Sequence, residues 1–191
     1  MQWLKDRSKG RRLEISAPDS TTSARAYFRK QVLDWNPPGG NGIESVPSFG
    51  ASGMCEAESK DAEPPHDEFV RIRYGASTFP FDFPFDRPLP NGDKRTVIDA
   101  GPDVKLVHRP DSQFNVATEY QVYVRCAVPG APKGHLNEVP LEGSLRDTFT
   151  GDPSHRTHLQ HLLHSAKVMA AGFGCTNKPQ IPSAVPASVK D

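Results

Sequence analysis

The stretch PSHRTHLQHLLHSAKVMAAGFGC, residues 153–175, decides the fold. Leu159, Leu162, Leu163, Ala166, Met169, Ala170 and Phe173 recur at the three-and-four spacing of an apolar stripe buried along one helix face. Asp152 or Ser154 supplies an N-cap, Pro153 suits the first turn, and Phe173-Gly174-Cys175 closes the helix. A stripe of that width needs a sheet to cover.

Upstream residues provide one. Residues 68–74 alternate strictly, with Val70, Ile72 and Tyr74 on one face and Arg71 and Arg73 on the other, which predicts a half-buried strand. The clearest strand is 119–128. Tyr120, Val122, Val124 and Cys126 point one way, Gln121, Tyr123 and Arg125 the other, and Pro129-Gly130 ends it. Shorter strands are expected at 96–99 and 104–108, divided by Gly101-Pro102, with an extended piece near 52–57. Residues 56–67 read as an acidic loop, and 131–152 as mostly loop with 139–145 able to extend. A second, shorter helix over 24–35 places Tyr27, Phe28, Gln31, Val32 and Trp35 roughly on one side. Pro37-Pro38 stops it before a Gly39-Gly40-Asn41-Gly42 turn. Together these predict an α+β class: an antiparallel sheet covered by the C-terminal amphipathic helix and the shorter N-terminal one, rich in loops. A Gly- and Pro-rich all-β domain with one docked helix is the alternative.

The chain has 191 residues, enough for one domain with a real core. Its 15 glycines and 19 prolines exceed the average but stay below the level typical of disorder. Residues 1–20 are expected to form a disordered basic lead-in, 21–178 a single domain, and 179–191 a disordered Pro-rich tail. The formal net charge is zero, which argues against a nucleic-acid partner. No apolar run is long enough to span a bilayer, and Leu13-Glu14-Ile15-Ser16 is too short and polar for a secretory signal core.

Three cysteines, at 55, 126 and 175, match no zinc or CxxC spacing. Cys126 lies on the apolar face of the best strand, and Cys175 ends the helix expected to pack there. A disulfide between them would tie helix to sheet; two buried free thiols are the other reading. Cys55 is then left over.

His155, His158, His161 and His164 look like a metal ladder, but each step of three turns about 300° around a helix. Successive rings slip back about 60°, so the four cannot converge. Only an adjacent pair such as His158 and His161 could share a metal, and no HExxH motif is present. A solvated polar flank is the favoured reading. Phe79, Phe81, Phe83 and Phe85 alternate around Pro80 and Pro84. The prolines forbid a central strand. The strip is either an exposed recognition surface or a lid packed on the sheet, and the exposure of four rings argues for the lid. No GxSxG, P-loop or dinucleotide-binding motif occurs, so the residues identify no catalytic set and no cofactor.

Val70-Arg71-Ile72-Arg73-Tyr74, Val122-Tyr123-Val124-Arg125-Cys126, and Leu162-Leu163-His164-Ser165-Ala166 with Gly174-Cys175 resemble segments of small actinobacterial secreted or lipid-anchored envelope proteins of unknown function. The resemblance spans residues 55–182. It implies a leader or lipobox ahead of the domain and a cysteine pair in the N-terminal half. Here only Cys55 stands there, and no lipobox is seen. A lost leader and first cysteine is the expectation, with a cytoplasmic relative, if the chain truly starts at Met1, as the alternative. The function implied is a non-enzymatic cell-envelope or extracellular domain that binds a ligand or an envelope protein. A small hydrolase or metal-dependent enzyme using the helix histidines is the competing class.

Overall fold

The computed structural model describes residues 2–36, 48–62, 68–87, 95–109 and 118–189. Along the chain run α1 (Gln2–Ser8), β1 (Leu13–Ser16), α2 (Thr21–Asp34), β2 (Ala51–Ser59), β3 (Phe69–Ala76), β4 (Thr96–Asp99), β5 (Val104–Arg109), β6 (Glu119–Val124), α3 (His135–Glu138), β7 (Leu141–Asp147) and α4 (His155–Phe173). All seven strands belong to one antiparallel sheet in the order β1-β2-β3-β7-β6-β5-β4. Helices α2 and α4 contact each other and the same sheet, so the architecture is α+β, as the residue pattern predicts.

The stripe of α4 supplies Leu159, Leu162, Leu163, Ala166, Met169, Ala170 and Phe173 to the main core. There they meet Tyr74, Tyr120, Val122, Val124, Leu141 and Leu145 from the sheet and Phe28 and Val32 from α2. Ser154 rather than Asp152 caps α4, its Oγ accepting from Thr157 N at 3.0 Å. Gly174, at φ 73°, turns the chain out of the helix, a backbone conformation suited to glycine. Helix α2 starts three residues earlier than its apolar spacing suggests, because Ser20 accepts from Ser23 N and caps it.

The central strand is the least expected. Residues 141–147, on a stretch read as mostly loop, form β7 between β3 and β6. Gly143 explains why its sequence looks weak. A Cβ there would stand 2.4 Å from Cε1 of Tyr74 and 2.9 Å from Cγ1 of Val122, so glycine lets Tyr74 lie across the strand. Strand β6 ends at Val124 instead of 128, since the chain beyond it bonds to other partners. Arg125 N donates to Asp103 O, Ala127 N to Asn177 Oδ1, and Val128 N to His135 Nε2. Residues 56–59, expected in an acidic loop, belong to β2; the Gly39–Gly42 turn lies outside the described residues.

The expected domain limits also need correction. The lead-in carries α1 and β1, and its arginines are paired: Arg7 with Asp152, Arg11 with Glu68, Arg12 with Asp61. Leu4 is buried against Ala57, Val70 and Phe149. The tail is also docked. Val185 and Val189 join the main core, Gln160 of α4 bonds to Ser183 O and Val185 N, and Arg156 donates to Val189 O. Basic and Pro-rich composition suggested disorder, but the counter-charges and apolar contacts come from residues distant in sequence.

Candidate functional site

Chemistry-bearing side chains gather in two places, one on each face of the sheet. The first lies under the N-terminal turn of α4. Tyr120 and Leu145 are cross-strand partners, and Asp147, two residues on along β7, shares their face. Asp147 Oδ2 accepts from Nε2 of His158 at 2.8 Å, and Oδ1 accepts from the backbone N–H groups of Phe149 and Thr150. The Thr150 hydroxyl donates to the same carboxylate. His158 Nδ1 faces the Ser154 carbonyl oxygen at 2.7 Å. Both of its neighbours are acceptors, so both ring nitrogens carry protons and the ring is an imidazolium.

Burial opposes that charge. The Asp147 hydrogen bond, the Ser154 carbonyl and the nearby carboxylates outweigh it, and the His158 pKa lies above the usual histidine value. For Asp147 burial again pushes toward the neutral form, and its four hydrogen bonds carry the pKa below the ordinary value.

Aromatic rings continue the array. Tyr120 stacks on His158 at 4.6 Å and 3°. Its hydroxyl shares a hydrogen bond with His155 Nδ1 at 3.0 Å, and His155 stacks on His108 at 4.4 Å. Burial, reinforced by His155, lowers the His108 pKa to about 4, and its buried Nδ1 has no partner among the described residues. Trp3 covers the outer side, edge-on to His158 and tilted against His161.

Of the helix histidines only His164 is solvent-exposed; His155 and His161 are half-buried and His158 is buried. His158 is 2% exposed and its two ring nitrogens are engaged by the Ser154 carbonyl and Asp147, not directed at His161. Among the described residues no group of three or more His, Cys, Asp or Glu is placed to hold a metal ion. Asp147 was missed in the sequence. The alternation Leu141, Gly143, Leu145, Asp147 was the available signal, obscured by a glycine at one inward position.

The second cluster is on the opposite face. The run 79–85 folds over it as turns, as its prolines require. Phe81 and Phe85 are buried with Val107 and Tyr123, and Phe79 and Phe83 are half-buried against them. Phe85 lies 4.6 Å from Tyr123, and Lys105 Nζ donates to Phe81 O at 2.7 Å. The four rings pack as a lid rather than forming an open recognition strip. Beside them Glu142, cross-strand partner of Tyr123, accepts from Gln121 Nε2 at 3.2 Å. Burial raises its pKa to about 7 against the hydrogen bonds from Ser77 and Gln121. The buried Tyr123 hydroxyl has no partner among the described residues.

Cys126 and Cys175 are joined by a disulfide, Cα–Cα 4.8 Å, which fastens the exit of α4 to the segment following β6. Cys55 is free and half-buried on β2, and burial raises its thiol pKa. Among the described residues no helix is long and apolar enough to cross a membrane. Against protein-family models, curated proteins and solved structures, the chain has no match.

Proposed function

We propose that this chain is a non-enzymatic binding domain of the cell envelope or extracellular space, recognising a ligand or a partner protein. The carrying observation is the Cys126–Cys175 disulfide, because such bonds persist in oxidising compartments and are rare in the reducing cytosol. The resemblance of the strand and helix segments to actinobacterial secreted or lipid-anchored proteins points to the same compartment. The non-enzymatic part is supported by His158, the most elaborately held group on the helix face. It is 2% exposed with both ring nitrogens engaged by Asp147 and the Ser154 carbonyl, so its ring is turned to the protein interior instead of being offered to a substrate.

Thiol titration of freshly isolated native protein, denatured without reductant, tests the compartment. One reactive thiol per chain, from Cys55, is the expected result. Three would overturn the reading.

A small hydrolase built on the helix histidines is the second reading, favoured by the stack of His155 on His108, whose Nδ1 has no partner among the described residues. Esterase activity on generic acyl substrates that disappears in His155→Ala, with the fold retained, would establish it.

A further inference from the structure

Helices α2 and α4 form the layer that covers one face of the sheet, and the tail after α4 docks into the same core. The chain as a whole balances 23 Lys and Arg against 23 Asp and Glu. That balance fails in the helical layer. Residues 21–36 and 153–189 contain six Lys and Arg and a single carboxylate, Asp34. Lys30 pairs with it one helical turn away, and Arg156 donates to carbonyl groups of the tail. Arg25, Arg29, Lys167 and Lys178 form no ion pair among the described residues. The only charged residue in the adjoining stretch 37–47, which lies outside the described residues, is Glu44, so the excess of positive charge keeps its sign.

Close packing joins the two helices into one surface. A Cβ on Gly172 would stand 2.9 Å from Cγ2 of Thr21, and one on Gly174 would stand 3.4 Å from the guanidinium carbon of Arg25. Arg25 thus reaches to the C-terminal end of α4. Arg29 follows it one turn later along the same flank of α2, and Leu33 a turn after that. On α4, Lys167, Val168 and Ala171 are exposed. Leu33 is 41% exposed and Val168 58%, and with Tyr27 they make up three of the four large apolar side chains exposed among the described residues. The Cys126–Cys175 disulfide holds the end of α4 in place, so this surface stands on a fixed support.

Uncompensated cations with apolar tips among them suit the boundary of an anionic bilayer. The basic groups reach the headgroups while the apolar ones enter the layer beneath. A protein partner would instead need an apolar centre depleted of charge. Here Leu33 lies one turn from Arg29, and Val168 directly follows Lys167, so each exposed aliphatic group has a cation beside it.

We infer that the outer surface of α2 and α4 docks on an anionic lipid surface through Arg25, Arg29, Lys167, Leu33 and Val168. The inference rests on the cell-envelope reading and names the surface that the domain engages there.

Flotation of the full chain with two kinds of vesicle tests it, one of phosphatidylcholine alone and one with an equal part of phosphatidylglycerol. The protein should rise with the mixed vesicles only, and less of it as salt is raised. Arg29→Gln and Lys167→Gln should each weaken binding about fivefold. Val168→Ser should weaken it with the salt dependence unchanged. Arg73→Gln, at an exposed position on the opposite face of the sheet, should have no effect. Circular dichroism checks that each variant is folded. Failure to float with the mixed vesicles overturns the inference, as does equal binding to both kinds or an equal loss with Arg73→Gln. Capture by soluble polyglutamate without flotation also overturns it, in favour of an acidic protein partner. The thiol count is read separately. One reactive thiol without flotation removes the lipid surface and keeps the compartment, and three thiols with flotation do the reverse.

Discussion

His158 and Asp147 form a buried ion pair at 2.8 Å, with side chains 2% and 5% exposed, between the first turn of α4 and the end of the central strand. The cation stands near the positive end of a helix, where the dipole disfavours it, so the carboxylate is what permits it. Asp147→Asn leaves a buried imidazolium without its counter-charge. A loss of about 3–5 kcal/mol is expected, read from urea unfolding. The pH dependence has two limbs. His158 has a raised folded pKa, so its contribution is complete below the unfolded value of about 6.5 and is lost as pH rises through the folded one. Asp147 has a lowered folded pKa, so its contribution is present above about 3.9 and is lost as pH falls through the folded value. The difference between the native protein and Asp147→Asn should therefore peak between those limits and shrink on either side.

Glu142 has the opposite sign from Asp147. Its folded pKa of about 7 lies above the ordinary 4.5, so the folded state holds a proton that the unfolded chain has released. Stability from this group falls as pH rises across that interval. Glu142→Gln should flatten the decline, seen as unfolding midpoints that converge with the native protein's at pH 5 and exceed them at pH 8.

The disulfide closes a loop between residues 49 apart in sequence. In the chain-entropy description its removal costs about 4 kcal/mol. Cys126→Ala with Cys175→Ala should lower the urea midpoint with little change in the folded circular dichroism spectrum. An unchanged midpoint would mean that packing alone fastens the end of α4.

Gly143→Ala puts a methyl group where the Tyr74 ring and Val122 already stand. Overpacking in a filled core costs about 1–3 kcal/mol. The restoring change is Tyr74→Leu, and the double variant should recover part of the loss, a coupling that a double-mutant cycle reads directly.

The helix stripe and the alternating strands β3 and β6 were legible in the sequence because each pattern is complete within one continuous segment. The face assignment of Tyr120, Val122, Val124 and Cys126 followed from period two alone and agrees with the core. Other features were not legible, because their meaning lies in partners far along the chain. Arg7, Arg11 and Arg12 read as a solvated basic head until Asp152, Glu68 and Asp61 are placed beside them. The helical wheel sorted the four histidines by angle. It could not show that a carboxylate at the end of a strand read as loop waits beneath His158. The glycine at 143 hid β7 for a local reason: its inward position holds the ring of Tyr74 instead of a side chain of its own.

The position of β7 also governs the timing of folding. Strands β1 to β3 form one antiparallel meander and β4 to β6 another, and neither pairs with the other except through residues 141–147. A ribosome making this chain releases both halves before the piece that joins them, and α4 follows later still. The long sequence separation between β7 and β3 belongs to a high-contact-order topology, whose closure is slow compared with local pairing. For most of its synthesis the polypeptide therefore has two incomplete sheets and no finished core. The seven-stranded sheet and its cover by α4 are complete only once residues 141–173 have emerged.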